Sequence, residues 1–376
     1  MKLYIFFYIK YFYYKITNII VNIIFLKEKK NKNNDLIIIK TDNIGDYILF
    51  RNFLPILRKD KKFHKSKITL VANEACKNLF STFDKKFVNK VIWVDRNKFL
   101  YNLIYRVKLL IKLRSLNYDS LICPMYSRDF FISDWISDWI ISQKKISYAG
   151  DISNQHQFQK KISDFWYDDL FKNENKKIIF EFENNKKFIE FFLKKKIFIK
   201  KTFFKIQKFK FKFKNYICLF VDAGQAKRKY SIDNFSQIAN KLLEKTNFKI
   251  IFLGRSKNDL DNMSSNKNFI DLRQKTSLKD LVEIISRSKL LISNDTCAQH
   301  IAAATNRNCL VICVGFHYGR FLAYPKGIYP KHHVITHPRI KKNLLKHNIY
   351  KYQDINNIKT KNVLKKIENI INLRSL

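Results

Sequence analysis

The sequence predicts an α/β protein built of two parallel sheets that face each other across a cleft. Two segments set far apart carry that prediction. Asp35-Leu-Ile-Ile-Ile-Lys-Thr-Asp-Asn-Ile-Gly-Asp46 is an apolar run that breaks into a polar turn with a glycine and carboxylates. Lys289-Leu-Leu-Ile-Ser-Asn-Asp295-Thr-Cys-Ala-Gln-His300-Ile-Ala-Ala-Ala304 is a second apolar run, again followed by a polar turn, then by small helix-forming residues. Each reads as a strand feeding a helix through a tight loop. Ligands of open α/β sheets collect there, outside the carboxyl ends of the strands. One such loop in each half is the layout of an enzyme that joins two substrates. A chain of 376 residues also exceeds one ordinary core and suits two domains.

The remaining elements follow in order. After a first strand at 35–40, Asp46 to Lys59 place Ile48, Leu49, Phe53, Leu54 and Leu57 at helical spacing. Strands are predicted at Ile68–Ala72, Val91–Val94, Ser120–Cys123 and Ile146–Ala149, with helices at Glu74–Phe80, Lys98–Leu116 and Asp129–Ser142 between them. That alternation argues for a parallel sheet covered on both faces. The 172–214 region is rich in Lys, Phe and Asn, with a helix near Asn184–Lys195 and an interdomain linker around 200–214. A second series then runs Tyr216–Val221, Asp233–Glu244, Lys249–Leu253, Ser277–Arg287, Leu290–Ser293, Thr296–Ala304 and Leu310–Val314. Only seven glycines serve the chain, and Gly45, Gly224, Gly254 and Gly315 all trail a predicted strand. The repeat Ser133-Asp-Trp-Ile-Ser-Asp-Trp-Ile140 stacks Trp135 over Trp139 on one helix face, a stripe better suited to a core than to a sugar groove.

The formal net charge is +42. Such an excess predicts affinity for polyanions: nucleic acid, an anionic membrane face or phosphorylated substrates. Heavy joint use of Lys, Asn, Ile, Phe and Tyr is also what an AT-rich genome produces. No finger spacing or RNP-like aromatic motif is present, which argues against a nucleic-acid partner. The six cysteines are dispersed, and those at 123, 218, 309 and 313 lie in apolar runs. They read as small buried hydrophobes of a reducing, cytoplasmic compartment. Residues 1–34 stand apart. Phe, Tyr and Ile are interrupted by Lys2, Lys10 and Lys15, and Lys27-Glu-Lys-Lys-Asn-Lys follows. The uncharged stretch Ile16–Leu26 is too short to span a bilayer. The composition suits a segment on the inner face of the cytoplasmic membrane, its basic flank on anionic lipid. The alternative is a hydrophobic helix packed on the first domain.

At the motif level the chain resembles glycosyltransferase family 9, the heptosyltransferases. Lys40-Thr-Asp-Asn-Ile-Gly-Asp46 is similar to the opening motif of that family. Ser277-Leu-Lys-Asp-Leu-Val-Glu-Ile-Ile-Ser-Arg-Ser-Lys-Leu-Leu-Ile-Ser-Asn-Asp-Thr, continuing to His300-Ile-Ala-Ala-Ala, is similar to its donor-domain signature. Val221-Asp-Ala-Gly-Gln-Ala-Lys-Arg-Lys-Tyr-Ser-Ile-Asp-Asn-Phe235 resembles the loop that begins the second domain. The resemblance runs from about 35 to 370. It implies a GT-B architecture of two Rossmann-like domains: an acceptor-side domain at 35–205 and a donor domain with a final helix at 212–376. It also implies inverting transfer without a metal or cofactor, from a nucleotide sugar (ADP-heptose) to an anionic lipid-linked glycan such as a lipopolysaccharide or lipooligosaccharide core. A same-fold transferase using another nucleotide sugar and a non-catalytic scaffold of glycan assembly are the rival readings.

Residue chemistry agrees with the resemblance. Inverting transfer needs a base for the acceptor hydroxyl, and a loop carboxylate supplies one. Asp46 fits, with Gly45 turning the backbone and Asp42 orienting the loop; helix N-capping is the other role open to Asp46. The departing diphosphate calls for cations or helix N-terminal amides. Lys227 and Lys229, Gly254, and the helix start Asp295, Thr296, Cys297, Ala298 and His300 are the candidates for donor binding, with Asp295 on donor hydroxyls or a base edge. Three residues depart from the family pattern: Cys297 and Gln274 stand where glycines are usual, and Ala298 where proline is. Asp259-Leu-Asp261 has the spacing of a metal-binding pair, but residues two apart diverge on a helix. His332-His-Val-Ile-Thr-His337 lacks the glutamate of a zinc-protease helix, so no metal is expected.

Overall fold

The computed structural model describes residues 2–24, 35–173, 178–206, 211–256, 265–337, 339–340 and 354–373. The chain forms two compact units. The first takes residues 1–47, 53–176 and 184–197; the second takes 48–52, 177–183 and 198–376.

The first unit opens with helix α1 (Lys2–Ile24) and strand β1 (Leu36–Lys40). There follow α2 (Ile44–Phe50), α3 (Leu54–Lys59), β2 (Ile68–Asn73), α4 (Lys77–Phe83), β3 (Lys90–Val94), α5 (Arg96–Tyr101), α6 (Leu103–Arg114) and β4 (Asn117–Cys123). A π-turn at Phe130–Asp134 leads into α7 (Trp135–Trp139), then β5 (Ile141–Tyr148), α8 (Gln157–Asp164), β6 (Asp169–Phe171) and α9 (Glu181–Leu193), whose first residues belong to the second unit. The six strands lie in the order β3-β2-β1-β4-β5-β6, with every pair parallel. Leu36 to Ile39 are wholly buried because helices cover both faces, the reason an unbroken aliphatic run can form a strand here.

The second unit repeats this plan with β7 (Tyr216–Phe220), α10 (Ile232–Lys245), β8 (Lys249–Leu253), β9 (Phe269–Asp271), α11 (Leu278–Arg287), β10 (Leu290–Asn294), α12 (Cys297–Ala304), β11 (Asn308–Ile312), β12 (His332–Ile335) and α13 (Thr360–Ile371). Its sheet order is β12-β11-β10-β7-β8-β9, again all parallel. Ile217, Leu219, Ile250, Phe252, Leu290, Ile292, Leu310 and Ile312 alternate onto one face. There they meet Phe235, Ile238 and Leu242 of α10 and Val363 and Ile367 of α13.

Several predicted elements need correction. The helix expected over Asp129–Ser142 ends at Trp139, and β5 starts at Ile141, five residues before the predicted strand. Its first half is half-exposed and carries Gln143, Lys144 and Lys145, which mask the strand pattern. The helix expected from Asp46 to Lys59 begins at Ile44 and is interrupted by a 3-10 turn at Arg51–Phe53, just before Pro55. Lys98–Leu116 is two helices, broken at Asn102, whose side chain caps α6 through the Tyr105 amide. The strand read at Leu310–Val314 is set two residues earlier. Trp135 and Trp139 are buried as a core stripe, their indole N–H groups donating to Asn18 and to the Leu110 carbonyl.

In the described part of residues 1–34, one face of helix α1 matches the alternative of a hydrophobic helix packed on the first domain. Tyr14 and Val21 belong to the first unit's core, and Tyr14 packs edge-on against Trp135 at 4.9 Å. The buried Arg106 guanidinium lies 3.1 Å from the centre of the Tyr14 ring and donates to Thr17 Oγ1 at 3.3 Å. Burial lowers its pKa to about 9, against the pull of Tyr14 and Tyr13. One face of α1 is therefore part of the fold.

Candidate functional site

Strand order places the site in each unit. In both sheets the chain builds outward from a central strand in one direction, then returns to add strands on the other side. The order reverses between β1 and β4 in the first unit and between β7 and β10 in the second. At such a switch point the loops leaving the two strands part and open a crevice.

In the first unit the loop after β1 is tied across that point. Lys40, fully buried, donates from Nζ to Asp42 at 2.7 Å and to the Pro124 carbonyl at 3.3 Å, just beyond β4. Asn73, at the end of β2, donates to the Asp42 carbonyl at 3.0 Å. Arg96, the first residue of α5, donates to the Thr41 carbonyl at 2.7 Å and pairs with Asp129 at 3.0 Å. Asp42 thus orders the loop through Lys40. Asp46 is half-buried in the first turn of α2. The Tyr47 amide bonds to the Asn43 carbonyl at 3.0 Å, so Asn43 occupies the cap position. The N-capping role weighed for Asp46 does not apply. Gly45 lies inside α2 and is not left-handed, so the tight turn expected of it is an ordinary helical one.

In the second unit the corresponding knot is Asn294, the last residue of β10. Its Nδ2 donates to the carbonyls of Val221 at 3.0 Å and Asp222 at 3.2 Å, just beyond β7, and its Oδ1 accepts from the Tyr230 amide at 3.0 Å. The Asp222 carboxylate accepts from the amides of Arg255 and Ser256, the latter at 3.0 Å, and stands 3.6 Å from Lys229 Nζ. Gly254 has φ +135°, and a Cβ there would lie 2.5 Å from Asp222 Oδ2, so only glycine fits. Gln274 holds φ +59° and bonds through its amide to the Gly254 carbonyl at 2.7 Å. It keeps the left-handed backbone a glycine would adopt freely, at a cost of about 1–2 kcal/mol.

Asp295 is buried and pairs with Arg228 Nη1 at 3.3 Å. Burial raises its pKa and Arg228 opposes that rise. Thr296 caps α12, accepting from the Ala298 amide at 3.3 Å. Cys297 is its first residue, a half-buried thiol whose pKa burial pushes up to about 11. His300 lies a turn further in, buried, with Nδ1 2.5 Å from the Tyr324 hydroxyl. Lys227 is exposed and rests over the Phe316 ring at 4.7 Å.

The structure therefore gathers Gly254, Lys229, Asp295, Thr296, Cys297 and Ala298 around the second switch point. Lys227 projects onto Phe316 and His300 onto Tyr324. Arg228, Asp222, Asn294 and Gln299 were missed from sequence. A polar residue directly after each central strand was the available signal for Asp222 and Asn294; which of three consecutive basic residues turns toward Asp295 had none. Asp259 and Asp261 lie outside the described residues. His332 is committed to Gln299 at 3.0 Å.

Residues 106–313, more than half of the chain, match the profile of glycosyltransferase family 9 (heptosyltransferase). The chain belongs to glycosyltransferase family 9. Solved structures of heptosyltransferases share its GT-B fold. The E. coli heptosyltransferase WaaC, solved with ADP-2-deoxy-2-fluoro heptose, superposes with a TM-score of 0.66 at 14% identity, over 89% of this chain and 99% of that one. E. coli ADP-heptose lps heptosyltransferase II gives 0.60 at 14% identity, over 90% and 98%. The family 9 glycosyltransferase of Veillonella parvula gives 0.63 at 16% identity, over 90% and 98%. No curated protein matches the chain.

Proposed function

We propose that this family 9 glycosyltransferase moves heptose from ADP-heptose onto a lipid-linked glycan with inversion at the anomeric carbon. Asp46 takes the proton of the acceptor hydroxyl as its oxygen bonds to the anomeric carbon. The bond from that carbon to the diphosphate breaks, and the nucleoside diphosphate departs with the electron pair. Arg228, Lys229 and the amides opening α12 meet the charge that develops, so the reading needs no metal or cofactor. The observation that carries the donor assignment is Arg228. It is anchored to Asp295 at the switch point, and its buried Nε has no acceptor among the described residues. A bound anion would satisfy that donor.

Cys297 favours a second reading, a different nucleotide sugar. It brings a side chain to the first position of α12, where the family pattern has glycine and a diphosphate approaches the backbone. Incubating purified protein with ADP-, GDP- and UDP-sugars and following nucleotide release separates the two. Release from ADP-heptose supports the first reading, and release only from another sugar the second. A non-catalytic scaffold would give no release and no thermal shift with any nucleotide.

The acceptor reading places the enzyme on the inner face of the cytoplasmic membrane. No described helix is long and apolar enough to cross a membrane. Opposite its buried face, α1 exposes Tyr8 (62%), Phe12 (68%), Ile16, Ile19 (60%) and Ile20, with Lys15 alongside. An apolar stripe edged with lysine on a chain of charge +42 suits the interface of an anionic bilayer.

A further inference from the structure

Behind the Asp295–Arg228 pair runs a buried chain of hydrogen bonds that no step of the transfer employs. Gln299, fully buried in the first turn of α12, donates from Nε2 to Asp295 Oδ1 at 2.7 Å. Its other end, Oε1, lies 3.0 Å from His332 Nε2 on β12. Each role in this chain follows from the one before. A carboxylate only accepts, so the amide must turn its NH2 toward Asp295. That leaves Oε1, which also only accepts, facing the histidine. His332 must therefore carry its proton on Nε2. Its Nδ1 is buried among Tyr324 and Tyr329 and finds no partner among the described residues, so with this tautomer the unpartnered atom is a lone pair and not an N–H.

We infer that Gln299 is a positioning residue for the donor sugar, locked by His332 so that its amide holds the Asp295 carboxylate in one orientation. The inference rests on the reading of Asp295 as a donor contact. Arg228 grips Oδ2 and Gln299 grips Oδ1, so the carboxylate plane is fixed from both sides and its remaining lone pairs are aimed. A carboxylate held this way can accept from a pair of sugar hydroxyls without reorganising. Without the histidine, the amide is free to turn its oxygen toward Asp295, which repels the carboxylate and releases the orientation. Burial, with His300 and His333 nearby, lowers the His332 pKa to about 3, so the ring remains a neutral single donor across the physiological range. The effect is expected on the sugar and not on the nucleotide, because among the described residues the Gln299 side chain hydrogen-bonds to Asp295 and His332.

The test titrates full-length protein with ADP and with ADP-heptose by calorimetry. Wild type should bind ADP-heptose more tightly than ADP. Gln299→Leu and His332→Phe should each lower ADP-heptose affinity by roughly tenfold, the worth of one buried hydrogen bond, and leave ADP affinity within about twofold. His332→Gln keeps an N–H facing Gln299 and should restore most of the preference. Equal losses for both ligands would show a merely structural role and overturn the inference. So would an unchanged preference in both variants. If wild type binds neither ligand, the donor reading itself fails and the inference falls with it. A ligand-free check stands beside these. Long-range 15N–1H spectra of the histidine rings, with His332→Gln for assignment, should show a neutral Nε2–H tautomer at His332. An Nδ1–H tautomer would overturn the inference whatever the ligand results.

Discussion

Two residues decide whether the chemistry proposed here takes place. With Asp46 as the base proposed above, Asp46→Asn should cut turnover by about 10²–10⁴. Donor affinity and melting temperature should stay near wild type; a variant that keeps most of its activity rules out Asp46 as the base. Among the three consecutive basic residues of the second unit, only Arg228 pairs with Asp295. Arg228→Ala should lower kcat/KM for the donor by roughly 10²–10³, as loss of a charge-stabilising donor does. Lys227→Ala should change it by less than about threefold, since that side chain lies on the Phe316 ring. Steady-state kinetics with the donor found by nucleotide release compares them directly, and equal effects would mean that side chain placement in the loop is irrelevant to the reaction.

At the scale of elements, α1 has two faces with different expected behaviour. Tyr14→Ala opens a cavity against Trp135 and uncovers the Arg106 guanidinium, so it should cost about 3–5 kcal/mol and lower the melting temperature by several degrees. Phe12→Ser with Ile19→Ser touches only the exposed face. That pair should leave the melting temperature unchanged but weaken sedimentation with vesicles of anionic lipid, and the loss should persist at high salt because apolar burial is not screened. Vesicle binding equal to wild type would remove α1 from the membrane proposal. The same helix shows what sequence can and cannot convey. Strong aliphatic runs such as Leu36–Ile39 and Leu290–Ile292 announce central strands, because burial on both faces leaves nothing polar to confuse the pattern. The short outer strands β6, β9 and β12 are half-exposed and mixed in composition, and none was legible. Site residues divide likewise. Asp46 and Asp295 sit in motifs, whereas Gln299 acquires its role only when folding brings β12 alongside.

For the molecule as a whole, the desolvated histidines His300 and His332 set a pH limit. Burial holds His300 and His332 at native pKa values of about 3, below the ordinary 6.5. Between about pH 6.5 and pH 3 the unfolded chain takes up a proton at each position and the native chain does not. Stability is therefore complete above that window and falls as pH drops through it, by up to about 4 kcal/mol per histidine. Urea midpoints measured at pH 4.5 and 7.5 should differ less in His332→Gln than in wild type; an identical difference would show that His332 does not contribute to acid lability.

The second unit draws two pieces of itself from early in the chain, and this bears on whether the enzyme can be divided. Thr202 Oγ1 donates to the Ile48 carbonyl at 2.7 Å, the Phe203 amide donates to Asn52 at 2.9 Å, and Glu181 holds the buried Arg320 at 2.8 Å. A fragment starting at residue 212 would remove Glu181, the carboxylate partner of the buried Arg320, a defect of about 3–5 kcal/mol. One starting at 178 would keep that pair but still lack the strip at 48–52. We expect the longer fragment to be the more soluble and the more resistant to proteolysis, with neither matching the intact chain. On the ribosome, the strip at 48–52 must wait for the rest of its unit, made long after it, so exchange of the second unit between related enzymes by simple end-joining would carry a built-in folding fault.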